Sequence, residues 1–271
     1  MENDEEKRLF FAMEVAAPWP EKLPMGRVLA EEHRHCTLAF LGQTHYPKLV
    51  EALNASFPSP TFPVGLVGQF DRCLFLPERH PHVVAWHIRW LEEAQQLLNY
   101  QKAFVHWLQN QGFHPQHAER EFLPHVTLCR SPFDPHHWKK AFSPLPMMTK
   151  GIHLYESLGH SQYKPLWQHP IPAPFEEIEH TADIAFRVRG TTFQALHQHA
   201  RVALAFRHTP ILDYVPEASL ADNLDDIIID LNHLIAQADR DEGCPFKAVS
   251  FHSAIEKEAN NVLVWEMIID V

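Results

Sequence analysis

Two four-residue stretches carry the residue types that general acid–base chemistry needs: His35-Cys36-Thr37-Leu38 and His125-Val126-Thr127-Leu128. On a strand, residues i and i+2 point to one face. Each histidine therefore projects with its threonine, while Leu38, Phe40, Val126 and Leu128 turn towards a core. Set side by side, two such strands make a compact polar site. One imidazole takes a proton from an attacking hydroxyl or water, and the other delivers a proton to the leaving oxygen. The hydroxyls of Thr37 and Thr127, with Arg130, hold the non-bridging phosphoryl oxygens and stabilise the charge that grows on them. That is phosphodiester chemistry without a metal. Simple alternation puts Arg130 on the face opposite His125, so it joins the site only if the strand ends or bulges near Cys129.

The chain has 21 His and 9 Thr in 271 residues, so ~0.7 bare H-x-T triplets are expected by chance. The repeated leucine and the apolar strand-like surroundings of both copies argue against accident. The other thirteen histidines before residue 175, such as His80, His82, His136 and His137, lack regular ligand spacing. They read as surface residues rather than as a zinc site. A second set of chemistry-bearing residues lies near the end. Asp183 closes Glu179-His180-Thr181-Ala182-Asp183, and the sequence finishes Ile268-Ile269-Asp270-Val271. If the strands beside them are neighbours, Asp183, Asp270 and the carboxylate of Val271 form an all-oxygen pocket suited to Ca²⁺ or Mg²⁺.

The elements that must position these groups follow from hydrophobic period. Leu9 to Val15 and Cys36 to Leu41, closed by Gly42, read as strands. Gly65 to Phe70 and Cys73 to Leu76 read as a strand pair flanking Asp71-Arg72, with Val83 to Ile88 as another strand. Leu91 to Gln109 has helical spacing and ends at Gly112. Leu123 to Cys129 and Gly151 to Ser157 return to strand character, giving an α+β part with antiparallel pairing. Further along come a short strand, Ile184 to Val188, and a helix, Thr192 to Phe206, capped by Thr191 or Thr192. A second helix, Leu224 to Ala238, is capped by Asp222 or Asn223, and strands at Lys247 to His252 and Val262 to Ile269 flank the polar turn Ala259-Asn260-Asn261.

Composition divides the chain. Residues 1 to 174 hold 16 Lys and Arg against 17 Asp and Glu, whereas residues 175 to 271 hold 7 against 17. An acidic module suits a metal or a basic protein surface better than a phosphate backbone. Of the 22 prolines, 19 precede residue 175. The run His169-Pro170-Ile171-Pro172-Ala173-Pro174 fits neither a helix nor an interior strand. The expected division is a domain at 1–168, a Pro-rich linker at 169–174 and a domain at 175–271. Four cysteines without C-x-x-C spacing read as reduced thiols. No apolar run approaches the roughly 20 residues of a membrane span and the start is acidic, so no membrane partner and a cytoplasmic location are expected.

The first segment resembles the two-histidine phosphoesterases, specifically the bacterial and archaeal RNA 2′,3′-cyclic phosphodiesterases once named 2′-5′ RNA ligases. Arg8-Leu9-Phe10-Phe11-Ala12 is similar to that family's opening strand, and His35 to Gly42 and Pro124 to Arg130 to its two motifs. Leu154-Tyr155-Glu156-Ser157 with Gly159 and Tyr163 is similar to its closing strand and loop. Between Val15 and His35 a short Pro-containing stretch replaces the family's usual helix. The resemblance implies a bilobal α+β fold with a groove between the lobes and no cofactor. It also implies His35 and His125 as the acid/base pair, Thr37, Thr127 and Arg130 as phosphate ligands, and hydrolysis of RNA 2′,3′-cyclic phosphate ends to 2′-phosphates.

Phe175 to Val271 resembles archease, a small α/β sandwich that assists an RtcB-type RNA-splicing ligase. The matching stretches are His180-Thr181-Ala182-Asp183 with Gly190, the helix Leu224 to Ile235, Lys247 to His252, and Ile269-Asp270-Val271. The resemblance implies a metal held by Asp183, Asp270 and Val271. This copy is shorter than most between its two helices, and an aromatic residue common near Asp230 is missing. The whole chain then reads as an RNA-repair or tRNA-processing fusion. Two alternatives stay open: a non-catalytic RNA-repair adaptor, and a phosphodiesterase acting on 2′-5′-linked oligonucleotides.

Overall fold

The computed structural model describes residues 5–91, 94–181, 183–215, 220–250 and 254–271. In chain order the elements are β1 (Glu6–Ala16), β2 (Arg27–Val28), β3 (His35–His45), α1 (Tyr46–Ser56), β4 (Val67–Leu76), β5 (Val83–Trp90), α2 (Ala94–Asn110), β6 (His125–Arg130), α3 (Pro135–Ala141), β7 (Leu145–Gly159), β8 (Gln162–His169), β9 (Phe175–Ile178), β10 (Ile184–Gly190), α4 (Phe193–Arg207), α5 (Leu224–Glu242), β11 (Ala248–Val249), β12 (Glu256–Lys257) and β13 (Leu263–Asp270).

β1 to β8 form one antiparallel sheet in the order β1-β3-β6-β5-β4-β7-β8, with β2 beside β6. Because β1 also pairs with the long β7, the pairing returns on itself. One core lies under β1, β3 and β7 and is covered by the apolar faces of α1 and α2, including Leu49, Leu53, Leu97, Phe104 and Leu108. A second core gathers Phe70, Trp86, Ile88, Val126, Leu128 and Trp138 under β4, β5 and β6. The two H-x-T strands meet where these halves join.

The expected break at Asp71-Arg72 is not a turn. β4 runs through it and pairs with β5 on both sides, from Gly68↔Trp90 to Leu76↔Val83, with a register shift at Asp71. Continuous pairing is retained by bulging out one polar residue, which a tight hairpin would sacrifice. Between Val15 and His35 the chain holds β2 and a single 3-10 turn, Glu31–His33.

β9 to β13 form a second antiparallel sheet, ordered β11-β13-β10-β9 with β12 on β13, and covered by α4 and α5. Thr192 caps α4 by accepting the Ala195 N–H at 3.1 Å, and Asn223 caps α5 by accepting that of Asp226 at 2.9 Å. Of the expected strand Lys247 to His252, only Ala248–Val249 is strand among the described residues; residues 251 and 252 lie outside them. The stretch between β8 and β9 has no regular structure but is packed. Ile171 is buried in the first core, and the Pro172 carbonyl accepts the Gly65 N–H at 2.8 Å. Val67 and Leu91 of the first sheet join the core of the second.

Candidate active site

β3 and β6 are antiparallel and meet at Cys36↔Val126, whose side chains are fully buried. That register sets His35 beside Thr127 and Thr37 beside His125. All four are partly exposed while their neighbours in sequence are buried. The alternation read from the sequence thus delivers two imidazoles and two hydroxyls to one face.

Both rings are oriented alike. The Nδ1 of His35 lies 2.7 Å from the His33 carbonyl oxygen, and that of His125 2.8 Å from the Leu123 carbonyl oxygen. A carbonyl only accepts, so each Nδ1 carries the hydrogen and each Nε2 is the proton-exchanging atom. The turn before β3 is fixed by Arg34, which is buried, donates to the Leu29 carbonyl at 3.2 Å and stacks on Trp19.

No protein-family model matches the chain. In sequence it is similar to the RNA 2′,3′-cyclic phosphodiesterase of Thermotoga maritima, with 28% identity over 142 residues, 48% of this chain and 69% of that protein. Similar solved structures include E. coli LigT in its apo form, 23% identical with a TM-score of 0.45, and a protein of Thermus thermophilus, 20% identical with a TM-score of 0.43. They cover 62% and 61% of this chain and 99% and 98% of their own.

Arg130 joins the face of His125 and Thr127 through a bulge. Along the β5·β6 ladder the partners step from Ala85↔Thr127 to Val84↔Cys129, leaving Leu128 as the extra residue. Leu128 and Cys129 are both buried, and Arg130 returns to the side of His125 and Thr127. Its positive charge acts on His35.

Around the two histidines stand residues that the histidine pattern did not single out as site residues. His35 packs against Phe10, Tyr163 and Tyr155, with ring centroids at 4.8, 5.1 and 5.6 Å. Both tyrosines sit in the stretch that resembled the family's closing strand, which was the available signal. His87 and His153 correct the reading of the remaining histidines as surface residues: each side chain is 14% exposed. His153 stacks on Tyr155 and pairs with Glu14 at 3.5 Å, and Glu14 also binds Lys150 at 2.9 Å. His87 pairs with Asp71 at 2.7 Å.

Enclosure lowers the proton affinity of both motif histidines. Desolvation, then the charges of His125 and Arg130, bring His35 down to about 4 against a hydrogen bond to His33 that opposes the shift. His125 is also lowered, first by desolvation and then by the charge of His87.

In the second sheet, β10 and β13 are neighbours with Ile184↔Ile269 in register. Asp183 and Asp270 therefore arrive at the same end of adjacent strands. Their oxygens suit a hard cation in kind, yet each donor has a local partner. His180 lies 3.6 Å from Asp183, Ser250 donates to Asp270 at 3.1 Å, and the Lys247 ammonium donates to Val271. Among the described residues no group of three His, Cys, Asp or Glu side chains could hold a metal ion. No helix among them is long and apolar enough to cross a membrane.

Proposed function

We propose that the chain hydrolyses RNA 2′,3′-cyclic phosphate ends to 2′-phosphates without a metal, using His35 and His125 as the acid/base pair. The observation that carries this reading is the shared face of His35, Thr37, His125 and Thr127 across the β3·β6 pair, with both Nε2 atoms available. The named activity of the Thermotoga relative supports the choice of substrate. One neutral imidazole accepts a proton as water attacks phosphorus. The P–O3′ bond breaks, and the other histidine, protonated, delivers its proton to O3′. Thr37, Thr127 and Arg130 hold the non-bridging oxygens as negative charge builds on them. Because enclosure disfavours the imidazolium, the anionic phosphodiester itself supplies the field that restores a proton to one histidine on binding. Replacing either histidine by alanine is expected to lower kcat by about two to four orders of magnitude; activity retained in both variants defeats the paired-histidine reading.

For residues 175–271 we infer an archease-like module, joined through 169–174 to a phosphodiesterase domain at 1–168, that engages an RtcB-type RNA-splicing ligase. The β10·β13 adjacency supports it by bringing Asp183 and Asp270 together. With Val271 they are the donors for Ca²⁺ or Mg²⁺, which has to displace Lys247 from Val271. Calorimetry with Ca²⁺ tests this: binding lost in Asp183→Ala and Asp270→Ala supports the site, and no heat from the wild type removes it.

A further inference from the structure

A third imidazole stands beside the pair. β5 and β6 are antiparallel with His87↔His125 in register, so the two side chains are cross-strand neighbours on one face. The Nδ1 of His87 donates to the Asp71 carboxylate at 2.7 Å, and Asp71 owes its place to the bulge in β4. In His35 and His125 the matching hydrogen goes to a neutral backbone carbonyl. The Asp71–His87 couple is thus net neutral when His87 is protonated and carries one negative charge when it is not.

We propose that His87, anchored on Asp71, is a positioning residue whose charge controls the protonation state that His125 presents to the substrate. The other polar groups on the strands packed against His125 are His35 and Thr37 on β3, and Arg130 lies on its own strand; Arg120 and Glu121 precede it in the chain and are exposed. Behind His87 stand Asp71 and Arg72 on β4, with Arg89 two residues along β5. Of the groups that carry a titratable or fixed charge, His87 is the cross-strand partner of His125, and its charge disfavours the His125 imidazolium. A protonated His87 therefore favours His125 as the neutral proton acceptor. Loss of that charge raises the proton affinity of His125, leaving less of it in the neutral form that accepts a proton and more in the protonated form that delivers one. The consequence for catalysis rests on the paired-histidine reading above, whereas the coupling between the rings does not.

The test is an NMR titration of the His125 ring, identified by its loss in His125→Ala, in the wild type, His87→Gln and His87→Lys. In His87→Gln the His125 midpoint is expected to rise by about half a pH unit or more, the size of one close charge screened by solvent. In His87→Lys, which keeps a cation beside Asp71, it is expected to stay near the wild-type value. With a cyclic-phosphate substrate, one limb of the pH dependence of kcat/KM moves with it in His87→Gln and the other stays. An unchanged midpoint in His87→Gln overturns the proposal. So does an equal shift in both variants, since that marks altered packing rather than charge. A wild type without hydrolytic activity removes the functional reading and leaves the titration to be judged on its own, so the two claims fail separately.

Discussion

At the scale of single residues, the two motif histidines are set in surroundings that disfavour their charged forms. His35 sits among Phe10, Tyr155 and Tyr163 and is brought down to about 4, and His125 is lowered as well. A reaction that needs one of the pair protonated then finds less of that form as pH rises. The account predicts that kcat/KM increases as pH falls from 7 to 5 and declines again near 4. A pH–rate profile that is flat or rising towards alkali over that range contradicts it. In the proposed reaction Thr37 and Thr127 act on charge that develops at the phosphoryl oxygens, so alanine at either is expected to lower kcat by about ten- to a thousand-fold with a smaller change in KM, measurable in steady state. The four motif residues were legible because strand alternation alone places them. Arg130 was legible only conditionally, since the bulge at Leu128 follows from pairing with β5 and leaves no local signal. His87 was not legible: its partner Asp71 is 16 residues away and reaches it through a second bulge.

At the scale of elements, the strands that were read from sequence lie, β11 apart, within the sheets, and those missed, β2, β8, β9 and β12, are edge strands or two-residue pairings. β8 contains Pro165 and has no buried residue, as befits an edge strand. α1 buries two residues and α3 only Trp138, too few turns for a helical period to stand out. Both nonetheless begin with a proline in the first turn after a capping side chain, His45 or Asp134. Gly65, two residues before β4, is held tightly against β7. A Cβ there would lie 1.9 Å from the Thr149 carbonyl oxygen and 3.1 Å from Pro174. Gly65→Ala is therefore expected to destabilise the chain by about 1–3 kcal/mol, read as a lower midpoint in chemical denaturation. An unchanged midpoint means that β4 and β7 can separate at this point without cost.

At the scale of the whole molecule, two sheets share apolar contacts through Val67, Leu91 and the packed stretch before β9. Each also encloses a histidine that resists protonation, His35 in the first. In the second, His197 is brought down to about 4 by desolvation and then by the charge of Arg201. An unfolded chain takes up these protons near the ordinary value of 6.5, ahead of the folded one. His35 and His197 therefore contribute stability that is fully present above about 6.5 and is lost as pH falls towards 4, at up to about 1.4 kcal/mol per pH unit each. Urea denaturation between pH 7 and 4.5 is expected to show a steady fall in unfolding free energy, and constant stability across that window contradicts the enclosure of both rings. The charge division and proline run in the sequence indicated two parts, but not their contact, because Val67 and Leu91 read equally well as ordinary core positions.

The central claim is metal-independent hydrolysis by the paired histidines. The direct measurement incubates a 5′-labelled oligonucleotide ending in a 2′,3′-cyclic phosphate with the wild-type chain in excess chelator and identifies the product end. The account predicts chelator-resistant conversion to a 2′-phosphate; a 3′-phosphate product, or hydrolysis that stops when metal is removed, contradicts it.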